Sequence, residues 1–125
     1  MRRQIRHTAD LAFEIEGGTY LDLLEEARSL LVEEMGLVMD CSVEKKKEYE
    51  IIFNEDNFFD VVNDWIYEIS KGWAPIELHL VGEKLKTVFC KVAQRTGVEI
   101  KALTYHLLKF EKDGELWKTK VVFDV

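Results

Sequence analysis

Among the side chains able to do chemistry, Asp10 and Asp124 are singled out by position. Asp10 immediately precedes an alternating apolar segment, and Asp124 closes an otherwise apolar run, Val121-Val122-Phe123. Val125 adds its α-carboxyl one residue beyond Asp124. Carboxylate oxygens brought together form a hard-oxygen site suited to Ca²⁺, Mg²⁺ or Mn²⁺, and without a cation they repel and raise one another's pKa. Taken singly, Asp10 reads as a turn former or cap and Asp124 as a charge that ends a strand. Nothing in the sequence by itself brings the two together.

Lys101 lies in Glu99-Ile100-Lys101-Ala102-Leu103-Thr104-Tyr105-His106. A regular strand there would place Lys101 and Tyr105 on one face and Thr104 and His106 on the other. The remaining chemistry is sparse. His7, His79 and His106 show no ligand spacing with Cys41 and Cys90, which disfavours zinc. Ser42 follows Cys41 without an adjacent histidine, so nucleophilic catalysis has no support. No P-loop, dinucleotide fingerprint, HExxH or GxSxG motif occurs.

The elements that must position these residues follow from periodicity. Residues 11–16 alternate apolar and polar, as a half-buried strand does, and Gly17-Gly18 ends them. Thr19 with Asp22 forms a variant capping box for a helix whose apolar positions are Tyr20, Leu23, Leu24, Ala27, Leu31 and Met35, with Gly36 as its stop. Residues 42–53 read as a strand that opens polar, including the solvated run Glu44-Lys45-Lys46-Lys47-Glu48, and ends apolar. Asn54 caps a second helix with the buried stripe Phe58, Val62, Trp65, Ile66 and Ile69, closed by Lys71-Gly72. From Pro75 the period switches to two. Strands are expected at residues 76–80, 85–92, 100–110 and 116–125, with turns at Gly82-Glu83 and Asp113-Gly114. The order is β-α-β-α-β-β-β-β, an α+β arrangement of two helices packed with antiparallel sheet.

The length and charge bound the function. A chain of 125 residues is sized for one domain, spanning residues 1–125, and buries enough surface to fold without a metal or disulfide staple. A net charge of −7 argues against bulk binding of nucleic acid or of an anionic membrane. Cys41 and Cys90 sit in unrelated contexts without a CxxC, so a disulfide is not expected and a reducing cytoplasm is the simpler location. The N-terminus lacks the apolar stretch of a signal peptide, and no run of apolar residues is long enough to span a bilayer.

Three separated segments resemble one family. The first is His7-Thr8-Ala9-Asp10, followed by a strand, a glycine turn and an acidic amphipathic helix containing Leu24-Glu25-Glu26-Ala27. The second is Glu99 to His106, similar to a Glu-Val-Lys-Ala-x-Thr-Tyr-His pattern. The third is the final stretch from Trp117 to Asp124-Val125. Together they resemble the archeases, small cofactor proteins of the tRNA-splicing RNA ligase RtcB.

The resemblance implies an α+β protein that is not an enzyme itself. It implies a partner that speeds guanylylation of the ligase by GTP and its multiple turnover in tRNA splicing and RNA repair, touching RNA only indirectly. It also implies a divalent-cation site, with Ca²⁺ the first choice, at Asp10, Asp124 and Val125. Lys101 would assist at the ligase active site, with His7, Thr8, Glu99, Thr104 and His106 as further motif positions. Two stretches depart from the family pattern. Asp40, in Leu37-Val38-Met39-Asp40-Cys41-Ser42, stands in for the Asp of a Met-Thr-Asp motif, and residues 93–97 form a shorter loop than in many relatives. Two other classes compete: a general chaperone or adaptor, and a metal-dependent hydrolase with Asp10 and Asp124 as ligands and His7 as general base. The oligomeric state is not specified by any of these features.

Overall fold

The computed structural model describes residues 1–5 and 10–125. The alternation after Asp10 becomes β2 (Leu11–Gly17), with Phe13 and Ile15 buried. Before it, β1 (Arg2–Ile5) pairs antiparallel with β2, a strand with no apolar alternation to announce it. Helix α1 (Tyr20–Glu34) starts on the expected capping box: Thr19 Oγ1 accepts from the Asp22 amide at 3.1 Å, and Asp22 Oδ2 accepts from the Thr19 amide at 3.1 Å. Helix α2 (Glu55–Ser70) starts at Asn54, whose side chain accepts from the Asn57 amide at 2.7 Å.

The remaining strands are β3 (Leu37–Glu50), β4 (Trp73–Val81), β5 (Lys84–Arg95), β6 (Ala102–Leu103), β7 (Glu111–Asp113) and β8 (Leu116–Asp124). They form two antiparallel sheets. In one, the order is β1-β2-β8-β6, with β7 also on β8; in the other it is β3-β5-β4. The helices touch both sheets, α1 through β2 and β4 and α2 through β4 and β6. Both helices therefore carry wide apolar faces. Leu23, Leu24, Ala27, Leu30 and Leu31 of α1 share one core with Phe58, Trp65 and Ile69 of α2, Phe89 of β5 and Phe123 of β8. The fold is α+β, as the order of periodicities implies. No helix among the described residues is long and apolar enough to cross a membrane.

Three expectations change. The strand expected over residues 100–110 shrinks to β6, because Thr104 turns the chain: its amide and its Oγ1 both donate to Val122 O, each at 2.9 Å. Leu107 then adopts a left-handed φ of 61° before the chain reaches β7. The Lys101–Tyr105 face therefore does not form, since alternation ends at Leu103. Strand β3 begins five residues earlier than expected, at Leu37, because the register breaks between Asp40 and Glu44 and resumes beyond a bulge.

The third change concerns the cysteines. They were expected to be unpaired, and the structure joins Cys41 to Cys90 in a disulfide with their Cα atoms 4.8 Å apart. Asp40 faces Lys91 and Glu44 faces Cys90, so residues 41–43 are extra on β3 and fold over Cys90. A spacing of 49 residues gave no hint of this, because only the antiparallel register brings the two positions together. The cysteine argument for a reducing compartment falls with it.

A charge network ties β3 to α2. The buried Glu68 carboxylate accepts from Lys45 Nζ at 2.7 Å and Lys47 Nζ at 3.1 Å, and Lys47 also reaches Asp64 at 2.7 Å. Burial alone would raise the Glu68 pKa, but the two lysines outweigh it and hold the carboxyl below its ordinary value. A lowered folded-state pKa gives stability that is present above the unfolded value, about 4.3, and is lost as pH falls through the folded one. We expect wild-type Tm to decline on acidification below about pH 4, and the Glu68→Gln variant, although less stable at neutral pH, to decline less over that range. Thermal melts of both proteins followed by circular dichroism check this; parallel acid limbs would contradict it.

Candidate functional site

The candidate site lies where β8 ends. β2 and β8 pair with Leu11 opposite Phe123 as the last pair, and Asp10 and Asp124 are the next residues beyond it on the two segments. On the other side of β8, Ala102 faces Asp124, and the Lys101 amide donates to Asp124 O at 2.8 Å. Asp124 is thus flanked by the segment carrying Asp10 and the segment carrying Lys101. Asp10 is half-buried, while Asp124, Val125 and Lys101 are exposed. Among the described residues no three His, Cys, Asp or Glu side chains gather to hold a metal. The hard side-chain donors on these segments are the carboxylates of Asp10 and Asp124.

Residues 95–101 bring Lys101 to this edge. They leave β5 and cross the end of α1, where the amides of Thr96, Gly97 and Val98 donate to Gly36 O, Met35 O and Glu34 O at 3.0, 3.0 and 2.9 Å. These bonds satisfy carbonyls that the end of a helix leaves open. The backbones approach so closely that a Cβ on Gly97 would lie 2.7 Å from the Gly36 nitrogen, while Gly36 itself holds φ at 59°. Only glycine fits both positions. Arg95 Nη2 donates to Ile69 O at the end of α2, at 2.5 Å. A groove of about 310 Å³ runs beside the segment, with Tyr67, Arg95, Glu99 and Lys101 among its lining residues.

The next residues are fastened to α2. Asn63 Oδ1 accepts from the Leu103 amide at 2.8 Å, and Asn63 Nδ2 donates to Leu103 O at 3.1 Å. Tyr105 stacks on Phe59 with ring centroids 3.9 Å apart, and its hydroxyl donates to Asp56 Oδ1 at 3.0 Å. Burial and the Asp56 carboxylate both raise the Tyr105 pKa, so the phenol stays protonated as a donor.

The model of the archease protein family matches residues 3–125. The chain belongs to the archease family. A curated protein archease of Thermotoga maritima is 60% identical over 124 residues, covering 99% of each chain. One from Methanopyrus kandleri is 29% identical over 139 residues, covering 98% of this chain and 97% of that one. A crystal structure from Thermotoga maritima, of an archease described as a possible chaperone, superposes with a TM-score of 0.91 at 59% identity, covering 100% of this chain and 98% of that chain. A solution structure of a Methanobacterium thermoautotrophicum protein, at 17% identity and a TM-score of 0.68 over 99% of this chain and 98% of that one, shares the fold.

Against the archease motifs, the structure separates positioning residues from exposed ones. Thr104 bonds back to Val122 O, and its Oγ1 accepts from the His106 amide at 3.3 Å. Thr104 therefore shapes the turn beyond Lys101, with the His106 side chain exposed on it. Glu99 is exposed beside the groove. Asp40 lies in the other sheet, at the edge of the β3 bulge, where the Ser42 amide donating to Oδ1 at 3.0 Å lowers its pKa. His7 and Thr8 lie outside the described residues.

Asn63 was not singled out in the sequence. Its signal was weak: a polar residue one step along the helix from the apolar Phe59 and Ile66, pointing at a segment forty residues away. Asn63→Ala leaves both polar groups of Leu103 without their partner, which costs roughly 1–3 kcal/mol. We expect a matching fall in the urea midpoint and faster hydrogen exchange at the Leu103 amide. An unchanged Leu103 amide would show that Asn63 does not hold the segment.

Proposed function

We propose that the protein activates an RtcB-type tRNA-splicing RNA ligase in the cytoplasm, promoting its guanylylation and multiple turnover, and is not an enzyme in its own right. The observation supporting this reading is the convergence at the end of β8, where Asp124 and Asp10 each lie next beyond the last β2–β8 pair, Leu11 opposite Phe123, and the Lys101 amide bonds to the Asp124 carbonyl on the other side. Asp10, Asp124 and Val125 would hold a divalent cation there, Ca²⁺ first and Mg²⁺ or Mn²⁺ as alternatives. Their donors are all hard oxygens, which fits such ions. With one oxygen from each of these three residues, the six to eight oxygens Ca²⁺ takes would not all be supplied, and positions would stay open to water or to a partner. The cation would supply positive charge beside Lys101.

This chain's own residues do the rest. Asn63 and the Gly36–Gly97 crossing fix the backbone on either side of Lys101, so its ammonium is presented from a rigid support. Placed against phosphate groups in the ligase site, that ammonium stabilises negative charge that develops as the nucleotidyl group is transferred. The acidic protein, at −7, also complements a basic RNA-binding partner, which speeds encounter and leaves the RNA itself to the ligase. Steady-state ligation of RNA with a 2′,3′-cyclic phosphate end to a 5′-hydroxyl end tests the reading. Adding this protein at catalytic amounts of ligase should raise the number of turnovers; a ligase indifferent to it would overturn the proposal.

A second reading draws on exposed apolar side chains at one end of the β3-β5-β4 sheet, where Ile52, Phe53, Leu80 and Val81 are accessible. The Thermotoga relative's description as a possible chaperone accords with it. Suppression of aggregation of unrelated unfolded proteins would favour this reading over the first.

A further inference from the structure

We propose that Cys41–Cys90 is a reversible thiol–disulfide exchange site whose closure locks the β3 bulge onto β5. Three observations carry it, and none depends on the ligase reading. First, the two sulfurs differ in access: Cys41 is an exposed residue and Cys90 is fully buried. A reductant meets one end of the bond only. Second, residues 41–43 have no partners on β5, since pairing passes from Asp40 opposite Lys91 to Glu44 opposite Cys90. Within the bulge the Ser42 amide donates locally to Asp40 Oδ1 at 3.0 Å. Val43 is left 47% exposed.

Third, the bond sits at the head of the strand pair that leads to Lys101. Beyond Cys90, β5 pairs with residues 37–40 and then passes into Thr96, Gly97 and Val98, which bond to the end of α1. Opening the bulge therefore loosens the pairing from which residues 95–101 emerge.

The chemistry balances with a dithiol as co-reactant. A thiolate of the dithiol attacks the Cys41 sulfur and breaks the Cys41–Cys90 bond. Cys90 leaves as thiolate and takes up a proton, because burial disfavours the charge. The second thiol of the reductant attacks the mixed disulfide, releasing Cys41 as a thiol and leaving the reductant oxidised. Two electrons pass from the dithiol to the protein, and an oxidised dithiol reverses the sequence.

The test equilibrates the whole protein in mixtures of oxidised and reduced dithiothreitol, quenches the exchange with acid, and then labels all thiols with iodoacetamide in denaturant so that the buried Cys90 is reached. The expected result is that zero or two carbamidomethyl groups are found, interconverting reversibly as the ratio changes. Amide exchange in residues 37–44 and 91–98 should be at least roughly tenfold faster in the reduced protein, with α2 unchanged. Cys41→Ser should reproduce the reduced pattern, and because Cys41 is exposed the variant keeps the packing of Cys90. Thiols that stay unpaired in oxidised dithiothreitol, a bond that never opens without denaturant, or identical exchange in both states would each overturn the proposal.

Discussion

Trp65→Ala is expected to lower the unfolding free energy by roughly 3–5 kcal/mol and Tm by on the order of 10–20 °C. Trp65 is fully buried on α2, and its Nε1 donates to the hydroxyl of Thr87, itself inaccessible to solvent, at 3.2 Å. Alanine removes the ring, which leaves a cavity between α2 and β5, and strands the Thr87 hydroxyl in an apolar setting. Trp65→Phe separates the two contributions. It restores much of the volume but not the donor, so it should recover more than half of the loss. Urea unfolding followed by far-ultraviolet circular dichroism reads both variants. A loss under about 1 kcal/mol for the alanine variant would be out of line with a fully buried tryptophan.

Asp124→Ala should do the opposite: little to stability and much to cation binding. Its side chain is exposed at the end of β8, and surface changes of that kind usually stay within about 0.5 kcal/mol. Asp10 and Asp124 lie next beyond the last β2–β8 pair on their two segments, so alanine removes one of the two side-chain carboxylates proposed to hold the cation. Calcium affinity, read by titration calorimetry on the isolated protein, should fall at least roughly tenfold, and more for the Asp10→Ala, Asp124→Ala double variant. Equal calcium affinity in wild type and double variant would remove the cation from the account.

The helices were legible because each residue's role there is local. The Thr19–Asp22 box, the Asn54 cap and the stripes through Leu23 to Met35 and Phe58 to Ile69 depend on spacings of three and four, and all are present. What the sequence hid depends on strands distant in the chain. Cys41 and Cys90 meet through a bulge that no local pattern encodes. Residues 100–110 carry strand-like composition, yet Thr104 spends its amide and hydroxyl on Val122 and ends the strand at Leu103. β1 escaped notice because an edge strand needs partners more than apolar alternation, and Arg2 to Ile5 finds them on β2.

The candidate site divides the same way. Asp10, Asp124 and Lys101 were identifiable as residue types at the ends of elements and through the resemblance to archeases. Their adjacency comes from the β2-β8-β6 order, which places a strand from the start of the chain and a strand near its end on either side of the last one. The residues that hold Lys101 in place, Asn63, Gly36 and Gly97, serve backbone groups of other segments, so their importance shows only in the folded chain.

The most direct measurement is single-turnover guanylylation of an RtcB-type ligase, with GTP and metal fixed, in the presence of wild-type protein or of Asp10→Ala, Lys101→Ala or Asp124→Ala. The account predicts stimulation by the wild type and its loss in all three variants, each still folded by circular dichroism. Full stimulation by all three variants would contradict it.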